Sequence, residues 1–397
     1  MENLNFIDLF AGCGGLSEGF YKQGYKALAH VEFNHWACET LRTRMKHYGY
    51  EDWNDSVLEV DITREDILTL LDKVVANRKV DVIIGGPPCQ SFSSLGRAKD
   101  DNSMNDDPRN YLFESYVKVL NHYLPKVFVF ENVTGILNAE PNGVKIIDTI
   151  LSALSENYQV SLRVLNSANY GVPQVRKRVI IIGVRKDLTF SADAVHDSLK
   201  FTHYDPEMNE GDRVGLLPYV TVREAIGDLP SLLQGEGEKI VSYSPDLSKP
   251  FLKKICDENQ TILLDHVARH HNEMDVLRYR AMSENRWTFQ ELLENRPDLR
   301  HEKARVFGNS YTVQFWDLPS KTIIAHLYKD GNQFIHPDAK QGRTFTVREA
   351  ARIQSFPDNF VFEGSRTEQF KQIGNAVPPL FAEAIAMGVK RYLRGIK

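Results

Sequence analysis

Cysteine is scarce in this chain of 397 residues: Cys13, Cys38, Cys89 and Cys256 are all it has, and none belongs to a Cys-x-x-Cys pair. That argues against a disulfide framework or a cysteine-built zinc site and leaves any important thiol to act alone. Long apolar runs are missing as well. No stretch approaches the ~20 apolar residues of a membrane span. The opening Met-Glu-Asn-Leu-Asn-Phe-Ile-Asp has neither a basic start nor an apolar run of signal length, so a cytoplasmic protein without membrane contact is expected. Positive charge also falls short, because 48 Lys and Arg against 53 Asp and Glu give a formal net charge of −5. A uniformly basic surface is excluded, yet distribution matters more than the sum. From Arg163 to Lys186 there are six basic residues (Arg163, Arg176, Lys177, Arg178, Arg185, Lys186) and no acidic one, while acids gather from Asp100 to Asp107 and at Glu236 and Glu238. A basic stripe on an acidic body fits this pattern, and so does a solvated surface with chance clustering.

What is present begins with short apolar runs followed by turn residues. Phe6 to Phe10, Val80 to Ile84, Val127 to Phe130 and Val179 to Val184 read as buried parallel strands, and the apolar spacing of 111–123 and 143–156 reads as amphipathic helices between them. This alternation predicts an α/β domain with a doubly wound sheet. After about Thr189 the alternation stops, Gly and Pro punctuate 206–250, and aromatic and basic residues mix from His266 to Tyr328. A second, smaller and irregular domain is expected over 191–349. Residues 1–190 and 350–397 would then form the first domain, with a helix over Ala382 to Leu393 packed against it.

Four motifs carry chemistry. Asp8-Leu-Phe-Ala-Gly12-Cys-Gly14-Gly15-Leu16 is a glycine-rich strand-to-helix turn that lets a ligand approach the backbone. The sixth position counted from Gly12 is Ser17, which disfavours a nicotinamide fingerprint, and no Gly-Lys-Ser/Thr follows to make a P-loop. Glu32, near the end of an expected strand over Ala27 to Val31, could hold ribose hydroxyls; Asp61 could meet adenine. For either acid, a solvated loop residue is the alternative. Gly85-Gly-Pro-Pro-Cys89-Gln90 starts where a strand ends, the place where α/β sheets bind ligands, so the thiol is presented there on a proline-stiffened backbone; a buried structural cysteine is the alternative. Ser93 to Asp107 reads as a loop able to close over a substrate. Glu131, in Phe130-Glu-Asn-Val133, follows another strand, where partial desolvation would help it donate a proton or hydrogen bond; a capping acid is the alternative. In Gln174-Val-Arg176-Lys-Arg178, alternation places both arginines on one strand face, either aimed at a site or serving as a basic, aggregation-blocking edge.

In this order, Phe10-Ala-Gly12-Cys-Gly14, Pro88-Cys89-Gln90, Glu131-Asn-Val133 and Gln174-Val-Arg176-Lys-Arg178 resemble the hallmarks of the DNA (cytosine-5)-methyltransferase family, of the bacterial restriction-modification type. Arg348-Glu-Ala-Ala-Arg352-Ile-Gln-Ser-Phe-Pro357 and Gly374-Asn-Ala-Val-Pro378 match further blocks. The resemblance implies a Rossmann-like S-adenosylmethionine-dependent methyltransferase sheet with a target-recognition domain. It implies Cys89 as nucleophile with Glu131 and Arg178 as companions. Phe10, Gly12, Gly14, Gly15, Glu32, Phe33, Asp61, Ile62, Pro88, Leu112, Asn375 and Val377 would surround S-adenosylmethionine, which leaves as S-adenosylhomocysteine. The partner is double-stranded DNA, with Ser93, Arg97, Arg176 and Arg269 as candidate contacts, and Arg278, Arg280, Arg286 and Arg305 as further basic side chains. A monomer associated with the nucleoid is expected, with a companion restriction endonuclease. No metal is expected, since His270-His271 lacks a third ligand at suitable spacing. A transfer-RNA methyltransferase on the same scaffold and a noncatalytic DNA-binding relative are the alternatives; the missing Cys-Phe-Thr signature argues against the first and the intact Pro-Cys and Glu-Asn-Val against the second.

Overall fold

The computed structural model describes residues 3–88, 111–300 and 311–395. It divides into two compact units, one of Met1–Ser167, Lys177–Phe201 and Pro379–Lys397, the other of Ala168–Arg176 and Thr202–Pro378.

The first unit is built on a seven-stranded sheet: β1 (Asn5–Leu9), β2 (Lys26–Glu32), β3 (Val57–Glu59), β4 (Val82–Gly85), β5 (Val127–Val133), β6 (Tyr158–Asn166) and β7 (Lys177–Arg185), in the order β3-β2-β1-β4-β5-β7-β6. β1 through β5 pair in parallel, and β7 lies antiparallel between β5 and β6. The run at Val179–Val184 is thus a buried strand, as its composition predicts, but of opposite direction to that expected. The chain moves outward from β1 through β2 to β3, then returns to the other side of β1 as β4. That reversal opens a crevice at the carboxyl ends of β1 and β4, where doubly wound sheets bind ligands. Ile7, Leu9, Ile83, Phe128, Phe130, Val179 and Ile181 are fully buried in the core beneath the helices Leu112–Tyr123 and Ile146–Leu154.

The helix Gly15–Lys22 packs on the helix Pro379–Leu393, and Gln23 Nε2 donates to Glu383 Oε1 at 3.0 Å across 360 residues of sequence. Gly19 sets how closely they approach: a Cβ there would stand 2.2 Å from the Glu383 nitrogen and 2.3 Å from the Ala382 carbonyl carbon, backbone atoms that cannot swing aside. Gly19→Ala is therefore expected to cost about 1–3 kcal/mol or more, read as a lower urea midpoint at unchanged slope; unaltered unfolding would show that the helices part freely.

The second unit holds a two-stranded antiparallel sheet of β8 (Gly237–Ser242) and β9 (Ile262–Val267) and an aromatic core around Tyr279, Phe289 and Tyr311. Its helix Val347–Ile353 starts with a capping box of Thr346 and Glu349. Around this helix three buried arginines are fully bonded. Arg343 makes two bonds of 2.7 Å to Glu349, Arg352 holds Asp358 and Asp228, and Arg348 donates to the carbonyls of Leu264, Pro357 and Phe360. Because those partners lie within the second unit, residues 350–378 pack there, whereas the sequence boundary groups them with the first. Among the described residues no helix is long and apolar enough to cross a membrane.

Candidate active site

The turn after β1 is conformationally demanding. Phe10 has φ +59°, and Gly12 and Gly14 have φ +54° and +86°. A phenylalanine in the left-handed region stores strain of the kind that collects at ligand sites. The turn is held from β2: Glu32 Oε2 accepts from the Gly12 N–H at 2.8 Å, and Oε1 accepts from those of Phe33 and Asn34 at 2.9 and 2.8 Å. Burial raises the Glu32 carboxyl above its ordinary range, and the three amides pull it back down. Next to it the Phe33 ring is 71% exposed and offers a flat apolar face on which an aromatic ring can stack. A Cβ at Gly12 would meet no atom of the described residues within 4 Å, which leaves room for a ligand beside the turn. Beyond β3, Asp61 is exposed and accepts from the Thr63 backbone and hydroxyl, while Ile62 is buried. Pro88 and Leu112 are half-buried. The structure thus brings Phe10, Gly12, Gly14, Gly15, Glu32 and Phe33 together, with Asp61 and Ile62 following the adjoining strand. A carboxylate, an exposed ring and an open glycine turn suit a nucleoside.

Sequence reasoning gave no role to Asp8 beneath this turn. Asp8 is buried, accepts from the Ser17 hydroxyl at 2.6 Å, and has its carboxyl pushed up to about 8, chiefly by desolvation.

The other half of the site forms where β4, β5 and β7 meet. Gly86-Pro87-Pro88 leads from β4 toward Cys89, which lies outside the described residues, as do Ser93, Arg97 and Arg305. Glu131 lies near the end of β5. Arg178, which pairs with Val133 across the antiparallel ladder, is therefore on the same sheet face as Glu131. Arg178 Nε meets Glu131 Oε1 at 2.9 Å, each side chain only 13% exposed. Burial draws the guanidinium below its usual range while the Glu131 charge opposes that shift. Gly86 gives the acid room, since a Cβ there would come within 2.9 Å of Glu131 Oε2. Buried Asn132, quoted in its motif but given no role, donates to the Pro87 carbonyl at 3.0 Å and so braces the segment that leads to Cys89.

A profile of C-5 cytosine-specific DNA methylases matches residues 4–391. The chain belongs to that family. Among similar proteins, Type II methyltransferase M.Bpa9945I of Bacillus paralicheniformis is 35% identical, the match covering 98% of this chain and 99% of the relative. Type II methyltransferase M.DdeI of Desulfomicrobium norvegicum is also 35% identical, covering 99% and 90%. An E. coli crystal structure, of a prophage-encoded protein described as a DNA modification methyltransferase, shares 26% identity at a TM-score of 0.71 over 99% of this chain and all of that one.

In this DNA methylase several expected contacts lie elsewhere. Arg176 and Arg178 do not share a strand face: β7 begins at Lys177, and Arg176 belongs to the second unit, 2% exposed, donating to the carbonyls of Ile323 and Gly374. Arg269 is likewise withdrawn, its guanidinium bonded to the carbonyls of Leu327, Tyr328 and Lys329 and placed over the Phe370 ring. Burial and the nearby Arg366 charge lower it to about 10. Both arginines tie loops together and do not face outward as phosphate ligands would. Arg278 is buried on Asp275 and the Leu299 carbonyl, whereas Arg280 and Arg286 are exposed, the latter paired with Asp317. Asn375 is exposed and Val377 buried at the end of the helix Arg366–Asn375, where Gln354 donates to the Ile373 and Ala376 carbonyls. Among the described residues His35, Glu39 and Glu59 cluster with metal-ligand spacing, but Arg42 already bonds both carboxylates.

Proposed function

We propose that this methylase places a methyl group on carbon-5 of a cytosine extruded from duplex DNA, with Cys89 as nucleophile and Glu131 and Arg178 holding the ring. The observation that carries this reading is the Glu131–Arg178 ion pair, 2.9 Å long, beside the Gly86-Pro87-Pro88 segment that leads to Cys89. S-adenosylmethionine, when bound, supplies the electrophilic methyl. Glu32 would hold the ribose hydroxyls, the Phe33 ring and Ile62 would flank the adenine, Asp61 would meet its amine, and the turn from Phe10 to Gly15 would admit the chain of the donor. Asn375 and Val377, with Pro88 and Leu112, would complete that cradle.

Carbon-5 of cytosine is a poor nucleophile. Addition of the Cys89 sulfur to carbon-6 makes the ring enamine-like, and carbon-5 then takes the methyl. Loss of the carbon-5 proton to a base and elimination of the thiolate restore both ring and enzyme. Glu131 bonds ring nitrogen-3 and the exocyclic amine, stabilising charge that develops during addition. Arg178 fixes the Glu131 carboxyl and lends positive charge, which also favours the thiolate. Extruding the base costs a few kcal/mol, to be offset by contacts between protein and DNA, to which Ser93 and Arg97 would contribute on the backbone. The irregular second unit reads the target sequence. The Type II names of the relatives support a companion restriction endonuclease.

DNA containing 5-fluorocytosine tests the chemistry, because the carbon-5 proton needed for release is absent. A donor-dependent, denaturant-stable adduct is expected on that DNA. Absence of an adduct across DNA of varied sequence, or a preference for RNA, would count against the reading. For the cradle, Glu32→Ala is expected to weaken donor binding by about 10–100-fold, the value of one charge-assisted bond, in calorimetric titration with S-adenosylhomocysteine; unchanged affinity would remove Glu32 from it.

A further inference from the structure

The sheet has one open side, at β6, and a cleft opens beside it. β6 pairs with β7 and, among the described residues, with no other strand. Its second half, Arg163, Val164 and Leu165, lines a cleft of about 550 Å³ whose other walls are His196, Asp197, Leu199, Lys200 and Phe201. Val164 and Phe201 are 44% and 42% exposed, large values for such side chains, and Lys200 is exposed.

The floor of the cleft is built. The Ser161 hydroxyl donates to Asp193 Oδ1 at 2.5 Å, so the same oxygen must accept the bond from His196 Nδ1, 2.8 Å away. Burial lowers His196 to about 4, so the ring is neutral at pH 7 and carries its proton on Nδ1. His196 Nε2 is then a lone-pair acceptor. It is buried in a residue 2% exposed and has no hydrogen-bond partner among the described residues. An unmet buried acceptor of this kind calls for an N–H or O–H donor.

We infer that this cleft receives an extended acidic peptide segment of a partner protein, which adds to the outer edge of β6 as a further strand. One ligand then meets every feature. Its main-chain groups pair with the open edge, as in strand addition, and one N–H donor reaches His196 Nε2. Alternate apolar side chains lie on Val164 and Phe201, and carboxylates meet Lys200 and, on the other face of the strand, Arg163, already bridged to Asp197 at 2.7 Å. A small carboxylate would use the cations alone, and DNA would leave the apolar wall and the strand edge unused. Leu165 is also the direct ladder partner of Arg178, so an occupied edge adjoins the strand that carries the Glu131–Arg178 pair.

The test uses the full chain and a fluorescein-labelled octapeptide of alternating Glu and Val with a free carboxylate, followed by fluorescence polarisation. Three controls accompany it: the same peptide with proline at alternate positions, the same composition with Lys for Glu, and free glutarate as competitor. Saturable binding is expected for the acidic peptide, weakened roughly tenfold or more by the prolines, by Lys for Glu, and by Lys200→Glu in the protein. Lys200 is an exposed side chain, so circular dichroism should be unchanged in that variant. Hydrogen exchange should slow at the amides of 159–165 when the peptide binds. No binding at millimolar peptide, equal binding of the proline form, or full displacement by millimolar glutarate would each overturn the inference.

Discussion

Cys89→Ser should lower methyl transfer by about four to six orders of magnitude, the range seen when a covalent nucleophile is removed, while leaving donor binding intact. An unperturbed thiol, with a pKa of about 8.5, already supplies some thiolate near neutrality, whereas a serine hydroxyl supplies almost no alkoxide. The substitution therefore removes the attacking species with little change in volume. Tritium transfer to DNA and the 5-fluorocytosine adduct should disappear together, and S-adenosylhomocysteine should bind as before. Turnover within tenfold of the wild type would mean that another group attacks the ring. Loss of donor binding along with activity would mean that the change disturbed the cradle and left the chemistry unexamined, so both measurements belong in one experiment.

The second large effect concerns the Glu131–Arg178 pair. Glu131→Gln keeps the shape of the acid but removes its charge and its ability to deliver a proton, and a positioned acid typically contributes 10²–10⁴-fold. Arg178→Ala leaves a carboxyl that is only 13% exposed without its cation. Breaking a buried pair from one side costs ~3–5 kcal/mol of stability; separately, removing the cation that fixes Glu131 against the ring takes away transition-state stabilisation, so a loss of about 10²–10³-fold in kcat is expected. Because the two side chains act as one group, the double variant should fall well short of the product of the single losses. Fully multiplicative losses would show that the arginine acts on the substrate by itself.

Much of this site was legible in the sequence, for identifiable reasons. Strands buried on both faces write themselves as continuous apolar runs, and β1, β4, β5 and β7 were found in that way; the turn between β1 and the helix Gly15–Lys22 followed from its glycines. β6 was not found, because its burial is irregular and its sequence, Tyr-Gln-Val-Ser-Leu-Arg-Val-Leu-Asn, has no apolar run to mark it. The opposite direction of β7 was equally hidden, since composition does not record polarity. Arg176 shows a different limit. Alternation pairs it with Arg178 only if the strand extends to both, and here the strand starts between them. Arg269 shows a third: a basic residue in a polar stretch looks like a phosphate ligand until backbone carbonyls of a distant loop, at Leu327 to Lys329, take up its donors. Long-range satisfaction of that kind leaves no local trace.

The seating of Pro379–Leu393 on Gly15–Lys22 also bears on how the protein is made. During synthesis the helix Gly15–Lys22 leaves the ribosome hundreds of residues before its cover exists, so the surface around Gly19, Gln23 and Tyr25, which meets Ala382, Glu383 and Ala386, must wait, wetted or shielded by a chaperone, until 379–393 emerge. A chain cut short before that point would have every residue of its sheet and would leave that face of the helix Gly15–Lys22 uncovered.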